Sequence, residues 1–224
     1  MIPTIGDKLL QFYINLKLED MIGRDISVLN PFANLKVQDV NILFYKKYFN
    51  DTKPRILLLG INPGRFGAGI TGIPFTDPIR LEDILDIKNN FVKKPELSSE
   101  FIYKMIEKYG GAEEFYKKYI LSAVCPLGFV KNGVNINYYD DKKLQKAVTP
   151  FIIDTLKQQI HISANANLCF IIGKGKNLQF LTKLNEDQHL FKEIKVLEHP
   201  RWVMQYRRKK LDYYIDKYLD NLSV

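Results

Sequence analysis

Cysteine and histidine are scarce in this sequence, which has two cysteines and three histidines among 224 residues. Two cysteines cannot on their own hold a four-cysteine iron–sulfur cluster or a structural zinc ion, and the three histidines are scattered along the chain. We therefore expect no metal site. Both cysteines, Cys125 and Cys169, lie in apolar runs, which predicts buried thiols.

Long hydrophobic runs are absent as well. No apolar run is long enough to span a bilayer, and residues 1–7 lack the basic and apolar regions of a signal peptide. These absences predict a cytoplasmic protein without a membrane partner. The sequence also contains no Gly-x-x-x-x-Gly-Lys-Ser/Thr phosphate-binding loop.

Acidic residues are in the minority, since 25 Asp and Glu stand against 33 Lys and Arg, and the net charge is +8. This balance favours a polyanionic partner such as nucleic acid, although many small basic proteins have none. A hydrophobic fraction of 46% with 26% charged residues is typical of a soluble globular protein. The length suffices for one domain, residues 1–224, with a sizeable core.

Short apolar runs predict strands, and apolar residues at helical spacing predict helices between them. Strands that alternate with helices predict an α/β fold of three layers, α-β-α, with a central four-stranded parallel sheet. One predicted helix begins at Thr149 and Pro150, with Thr149 as its N-cap and Pro150 in its first turn. The predicted strands are 55–61, 119–124, 167–172 and 194–197, and the predicted helices are 7–18, 98–109, 111–119, 149–160, 177–184 and 211–222.

A glycine-rich loop follows the first predicted strand and extends to about residue 75. Ligands of open α/β sheets bind at the carboxyl ends of strands, so this loop predicts a binding site. Asn62 is the first side chain after the strand that can hold a polar partner. An alternative interpretation makes Asn62 a turn residue that bonds its own backbone before Pro63.

The same loop contains a match to the dinucleotide-binding pattern G-x-G-x-x-G, formed by Gly67, Gly69 and Gly72. That pattern requires glycines that follow a strand directly and open a helix. Here residues 62–66 intervene, and residues 73–78 make a poor helix start. We therefore expect no nicotinamide or flavin site, and no cofactor.

A second candidate residue, His199, follows the last predicted strand and precedes a segment that mixes cations with large apolar groups. Because the ends of parallel strands meet at one edge of a sheet, Asn62 and His199 are predicted to face each other. Taken alone, His199 is more simply a hydrogen-bonded surface histidine leading into a basic amphipathic helix.

Four short motifs together resemble the uracil-DNA glycosylase superfamily, in particular its single-strand-selective monofunctional branch and the second, bacterial subfamily of that branch. They are Gly-Ile-Asn-Pro-Gly-Arg-Phe-Gly at 60–67, Thr-Gly-Ile-Pro-Phe at 71–75, Cys-Pro-Leu at 125–127 and His-Pro-Arg at 199–201. The resemblance covers residues 55 to about 210. It implies a monofunctional enzyme that flips a deaminated base out of DNA and hydrolyses its N-glycosidic bond, leaving an abasic site for base-excision repair. It also implies action in the bacterial cytosol, as a monomer with no obligatory protein partner.

The resemblance also implies roles for individual residues. Asn62 would hold the water that attacks the sugar, His199 would hydrogen-bond the base O2 as negative charge grows there, and Phe75 would stack on the extruded base. Trp202, Val203 or Met204 would fill the gap that the base leaves, unless Trp202 and Met204 pack into the core instead. The remaining implied contacts are Ile61, Gly64, Phe66, Gly72, Ser122 and Ala123 for the base, and Arg65, Arg201, Arg207, Arg208 and Lys209 for DNA.

One position departs from the branch pattern. Where the branch has an asparagine that reads the uracil edge, this chain has Ala123. Either Ser122, Asn132, Asn135 or Asn137 replaces it, or the pocket reads bases less strictly and admits xanthine or hypoxanthine. The competing hypotheses are a non-catalytic nucleic-acid-binding protein of this fold and a small-molecule enzyme that uses the glycine-rich loop for a phosphate.

Overall fold

The computed structural model describes residues 2–18, 22–23 and 25–223. The described part contains ten α-helices and seven strands, with two short 3-10 turns at Pro31–Ala33 and Arg208–Lys210. The α-helices are α1 Ile5–Ile14, α2 Leu35–Tyr48, α3 Ala68–Thr71, α4 Pro78–Asp83, α5 Leu97–Tyr109, α6 Ala112–Tyr116, α7 Lys142–Ser163, α8 Lys176–Gln188, α9 Pro200–Tyr206 and α10 Leu211–Leu222. The strands are β1 Ile26–Leu29, β2 Ile56–Gly60, β3 Tyr119–Ala123, β4 Gly128–Lys131, β5 Val134–Ile136, β6 Leu168–Ile172 and β7 Glu193–Leu197.

The four predicted strands form one parallel sheet, in the order β3-β2-β6-β7. β2 pairs with β3 on one side and β6 on the other, so that Leu58 lies beside Leu121 and Phe170. All three side chains are buried, as expected for strands covered on both faces by helices. The predicted α/β fold with a central four-stranded parallel sheet is confirmed.

A second, antiparallel sheet was not predicted. Its order is β1-β4-β5, and the β4–β5 hairpin turns at Asn132 and Gly133, both with positive φ. The two-residue turn that fits the twist of a β-hairpin needs positive φ at both of its central residues. Asn-Gly is the usual sequence of such a turn. At its other end, β4 begins at Gly128, which packs closely against Pro63. A Cβ atom added to Gly128 would lie 2.4 Å from the Pro63 carbonyl oxygen. The small sheet is therefore held directly against the loop that follows β2.

Several helices differ from the predictions. The short helices α3 and α4 were not predicted, and the expectation that residues 73–78 make a poor helix start is wrong, because the Asp77 carboxylate accepts from two backbone N–H groups and caps α4 at Pro78. α2 was not predicted, although its buried residues recur at the helical spacing 37, 40, 41, 44, 45 and 48. α7 begins at Lys142 and not at Pro150, because the Asp141 carboxylate accepts hydrogen bonds from the backbone N–H of Lys143 and Leu144. Pro150 lies inside this 22-residue helix, where it removes one backbone donor while the rest of the helix stays intact.

Both cysteines are buried, as predicted. Burial raises the pKa of the Cys125 thiol to about 12, and it also raises the pKa of Cys169, which lies on β6. Within residues 2–18, 22–23 and 25–223, none of the helices has the length and apolar character needed to cross a membrane.

Candidate active site

A cavity of about 420 Å³ opens at the carboxyl end of the parallel sheet. The loop after β2, the end of β3, the strand β5 and the start of α9 all contribute to its walls. The predicted residues that line it are Ile61, Asn62, Gly64, Phe66, Gly72, Phe75, Ser122, Ala123, His199, Arg201 and Trp202. Asn62 and His199 therefore line one cavity, although they are far apart in sequence.

Asn62 is held by the segment that leaves the small sheet. Its Oδ1 accepts a hydrogen bond of 3.1 Å from the Tyr138 backbone N–H. Its Nδ2 lies 3.4 Å from two carbonyl oxygens, those of Ile136 and Pro63. Because the oxygen faces an N–H and the nitrogen faces carbonyls, the amide has one preferred orientation. The alternative interpretation of Asn62 as a purely local turn residue does not account for partners 74 and 76 residues away.

His199 occupies the N-cap of α9, where its Nδ1 accepts a 3.2 Å hydrogen bond from the Arg201 backbone N–H. Burial in the cleft, with a further contribution from the Arg201 charge, lowers the pKa of His199 to about 4. The imidazole is therefore neutral near pH 7. Because Nδ1 acts as the acceptor, the proton is on Nε2, which is left as a hydrogen-bond donor for a ligand.

The Phe75 ring lies against the end of β2. A Cβ added to Gly60 would lie 2.6 Å from the Phe75 Cζ atom, so glycine is needed for this approach. Phe75 itself has φ of 56°, an uncommon conformation for a bulky residue and one that concentrates at functional sites. Buried hydroxyls fix the loop on either side, since Thr71 Oγ1 donates to the Thr76 carbonyl at 2.7 Å and Thr76 Oγ1 lies 2.7 Å from the Tyr103 hydroxyl.

The end of β3 presents little free polarity to the cavity. The buried Ser122 hydroxyl lies 3.0 Å from the Tyr13 hydroxyl and donates to Gln159 Oε1 at 2.5 Å. The Gln159 amide in turn donates to the Ala123 carbonyl at 3.3 Å. The single proton of Ser122 is thus already used, and Ala123 contributes a methyl group.

The basic segment after His199 divides into inner and outer residues. Val203 and Met204 are buried, with 0% and 3% of their surface exposed, in a helix that packs against α5. The prediction that these two contact DNA is therefore wrong: they lie on the inner side of α9 and help to attach it to the core. Trp202 is 38% exposed, and Arg207 lies 5.1 Å from its ring centre.

The remaining predicted cations lie outside the cavity lining. Arg207, Arg208 and Lys209 are exposed, and Arg208 forms a 3.1 Å ion pair with Glu100. Arg65 stacks over the exposed Phe66 ring at 5.2 Å, and Lys94 lies at the same distance from that ring. Two aromatic groups with adjacent cations, Phe66 and Trp202, thus stand in the cavity wall.

Sequence reasoning missed several residues of the site. Tyr138 and Ile136 hold Asn62 by their backbones, while Gln205 and Tyr206 line the outer cavity wall. The Asn-Gly pair at 132–133 is a strong hairpin signal and would have placed Ile136 near the site. No local signal identifies the backbone N–H of Tyr138 as the partner of Asn62.

Comparison with known proteins gives two matches. A family model described as the uracil DNA glycosylase superfamily matches residues 46–223, which include the whole parallel sheet and the loops that follow its four strands. Among solved structures, the crystal structure of wild-type SMUG2 from Pedobacter heparinus is similar to this chain, with 45% sequence identity and a TM-score of 0.95. The similarity covers 99% of this chain and 97% of that chain.

Proposed function

This chain belongs to the uracil DNA glycosylase superfamily, and from that premise we propose that it flips deaminated bases into its cavity and excises them. The membership, with its similarity to the SMUG2 structure, makes the chain a DNA glycosylase that hydrolyses N-glycosyl bonds in uracil-containing DNA. The family predicted from the motifs is confirmed. The observation that carries the proposed mechanism is the neutral His199, whose Nε2–H donor shares a cavity with Asn62.

Cleavage of an N-glycosidic bond puts positive charge on the sugar and negative charge on the departing base. A hydrogen-bond donor already in position at the base oxygen stabilises that negative charge, and such a donor is typically worth about 3 kcal/mol. His199 supplies the donor through Nε2. The Arg201 N–H fixes the ring by donating to Nδ1, so the donor needs no reorientation when the charge develops.

Asn62 orients the attacking water. An amide does not accept a proton near neutral pH, so Asn62 does not act as a base; a cationic sugar needs only a correctly placed nucleophile. The Tyr138 N–H holds the amide oxygen at 3.1 Å and leaves it a second lone pair for the water. No lysine attacks the sugar in this scheme, so the product is an intact abasic site.

Phe75 and the outer wall receive the nucleotide and its neighbours. The Phe75 ring offers a face on which a flat base stacks, and the backbone of Ile61, Gly64 and Gly72 lines the space beside it. Flipping costs about a few kcal/mol, part of which is recovered when an aromatic side chain fills the gap in the duplex. Of the three residues predicted for that wedge, Trp202 alone is exposed enough to serve. The phosphate contacts proposed here are Arg65, Arg201, Arg207, Arg208 and Lys209.

The base range of the pocket extends beyond uracil to xanthine and hypoxanthine. Support comes from Ala123, whose methyl group occupies less space than an asparagine, and from a cavity of about 420 Å³. We further propose that the protein works as a monomer, since Asn62 and His199 line one cavity within a single chain, and that it works in the cytoplasm, as the family resemblance implies.

The test is a glycosylase assay without added metal, on single- and double-stranded oligonucleotides that carry one uracil, xanthine or hypoxanthine. Alkali then cleaves the abasic sites. We expect Asn62→Ala and His199→Ala each to lower the excision rate by about 100-fold or more. The matched controls Asn50→Ala and His161→Ala change exposed residues and are expected to keep the full rate. DNA binding without excision of any base would overturn the proposal in favour of a non-catalytic binding protein.

A further inference from the structure

The residue that reads the edge of the flipped base is not evident from the family pattern, because Ala123 has no polar side chain. Two of the four polar candidates are removed by their positions. The only proton of Ser122 is donated to Gln159. Asn132 is exposed in the hairpin turn and does not line the cavity. Asn135 and Asn137 remain, and both line the cavity.

Asn135 differs from the other candidates in having an unsatisfied amide. Among the described residues that are not exposed, two buried side-chain polar atoms lack a hydrogen-bond partner: Oδ1 of Asn135 and Oδ1 of Asn41. The Asn41 amide lies outside the cavity lining, where it donates to the Val37 and Thr71 carbonyls. A buried amide oxygen without a donor lowers stability, so its presence at a cavity wall calls for a functional reason.

The position of Asn135 is fixed by backbone that also serves the catalytic asparagine. Asn135 lies on β5 opposite Val130, one residue before the Ile136 carbonyl that faces Asn62. Its Nδ2 lies 3.4 Å from the point where a Cβ on Gly64 would stand, so the amide rests against the loop that follows β2. Asn135 thus stands in the cavity wall beside the catalytic loop.

We propose that Asn135 recognises the lactam edge of the flipped base, an inference that rests on the proposed glycosylase function. Uracil, xanthine and hypoxanthine all present a ring N–H beside a carbonyl group. A carboxamide matches that pair, since its oxygen accepts from the N–H and its NH2 donates to the carbonyl. The lactam N–H supplies the donor that Asn135 Oδ1 lacks, once the amide turns its buried oxygen towards the cavity.

The test compares excision of uracil with excision of N3-methyluracil, whose ring nitrogen has no hydrogen to donate. The wild-type protein is expected to prefer uracil by about 10- to 100-fold. In Asn135→Ala the uracil rate falls by a similar factor and the preference disappears, because the alanine neither bonds the N–H nor excludes the methyl group. Asn135→Asp, which keeps the size and the acceptor but loses the donor, also slows uracil excision.

Asn137→Ala is the matched control, as it removes an amide from the same segment and the same cavity. It is expected to keep the uracil preference, and thermal unfolding shows that each variant is folded. An unchanged preference in Asn135→Ala, or a preference lost in Asn137→Ala instead, overturns the inference and leaves the glycosylase function standing. A wild-type protein that excises no base overturns the proposed function and this inference together.

Discussion

The two walls of the cavity are built on different principles. The parallel-sheet wall comes from strands such as β2, in which Leu57, Leu58 and Leu59 are at most 1% exposed. The hairpin wall comes from β5 and the residue after it, and both strands of the hairpin, β4 and β5, are short and partly exposed. Yet the hairpin wall holds Asn62 through Tyr138 and Ile136. A strand can therefore be fully buried in the core while a more exposed hairpin fixes the catalytic amide.

The largest effect is expected from a cavity in the parallel-sheet wall. Leu58→Ala should lower the free energy of unfolding by about 2–5 kcal/mol, because Leu58 is fully buried between two neighbouring strands. Val134→Ala, a change in the hairpin wall at a position 63% exposed, should stay within about 0.5 kcal/mol. Urea denaturation measures both. Equal losses in the two variants would remove the distinction between the walls.

The next largest effect, on the excision rate, is expected at Gly60, where the parallel-sheet wall meets the site. Gly60→Ala should slow uracil excision by about 10- to 100-fold, because the added methyl group displaces the Phe75 ring on which the base stacks. The matched experiment is the double variant with Phe75→Ala. With the ring gone, Gly60→Ala should add almost nothing to the loss, and full additivity of the two changes would contradict the explanation.

A smaller effect is expected from the hairpin turn. Gly133→Ala places a side chain at φ of 76° and should cost about 1 kcal/mol of unfolding free energy. Because the hairpin leads to the Tyr138 N–H that holds Asn62, excision should also fall several-fold. Gly111→Ala is the control, since Gly111 has φ of 95° with open space around it, outside the cavity lining. Gly111→Ala should show the same loss of stability with an unchanged excision rate. A several-fold loss of excision rate in both variants would argue against the hairpin's role.

The smallest effect is expected from pH on His199. Since its pKa is about 4 in the folded protein, lowering the pH from 8 to 5.5 should leave its donor role unchanged. The pH dependence of stability has the opposite sign to that of a histidine whose positive charge is paired with a carboxylate. The contribution of neutral His199 is fully present above its ordinary pKa of about 6.5 and is lost as the pH falls towards 4. The pH profile of single-turnover excision checks the first statement, and a rate that halves near pH 6.5 in wild type but not in His199→Gln would contradict it.

The same contrast explains which parts of the fold were predictable. The parallel strands were found to within one or two residues, because runs such as Leu57–Leu59 are apolar on both faces and need no partner to be recognised. The hairpin was not predicted, because β4 and β5 carry no continuous apolar run. The Asn132-Gly133 pair does indicate a hairpin turn. α7 was started at Pro150 since a proline often opens a helix, while the stronger cap, Asp141, stood further upstream.

For the site, motif residues were predictable and their supports were not. Asn62, Phe75 and His199 were placed in one cavity from strand ends and family motifs, and the structure brings them together. Val203 and Met204 were misassigned because a wedge into DNA was preferred to packing into the core, whereas a helix on the surface of a domain must bury one face. The Tyr138 contact lay beyond sequence reasoning, since every residue except proline has a backbone N–H and nothing marks the one that will be used.

The two buried thiols make the protein convenient for site-specific labelling. Thiol reagents attack the thiolate, and burial keeps both Cys125 and Cys169 protonated and out of contact with solvent. A cysteine introduced by Val134→Cys on the exposed side of β5 would therefore take up a fluorophore alone, in an otherwise native sequence. Such a probe would report, in real time, how the hairpin responds when a damaged strand enters the cleft.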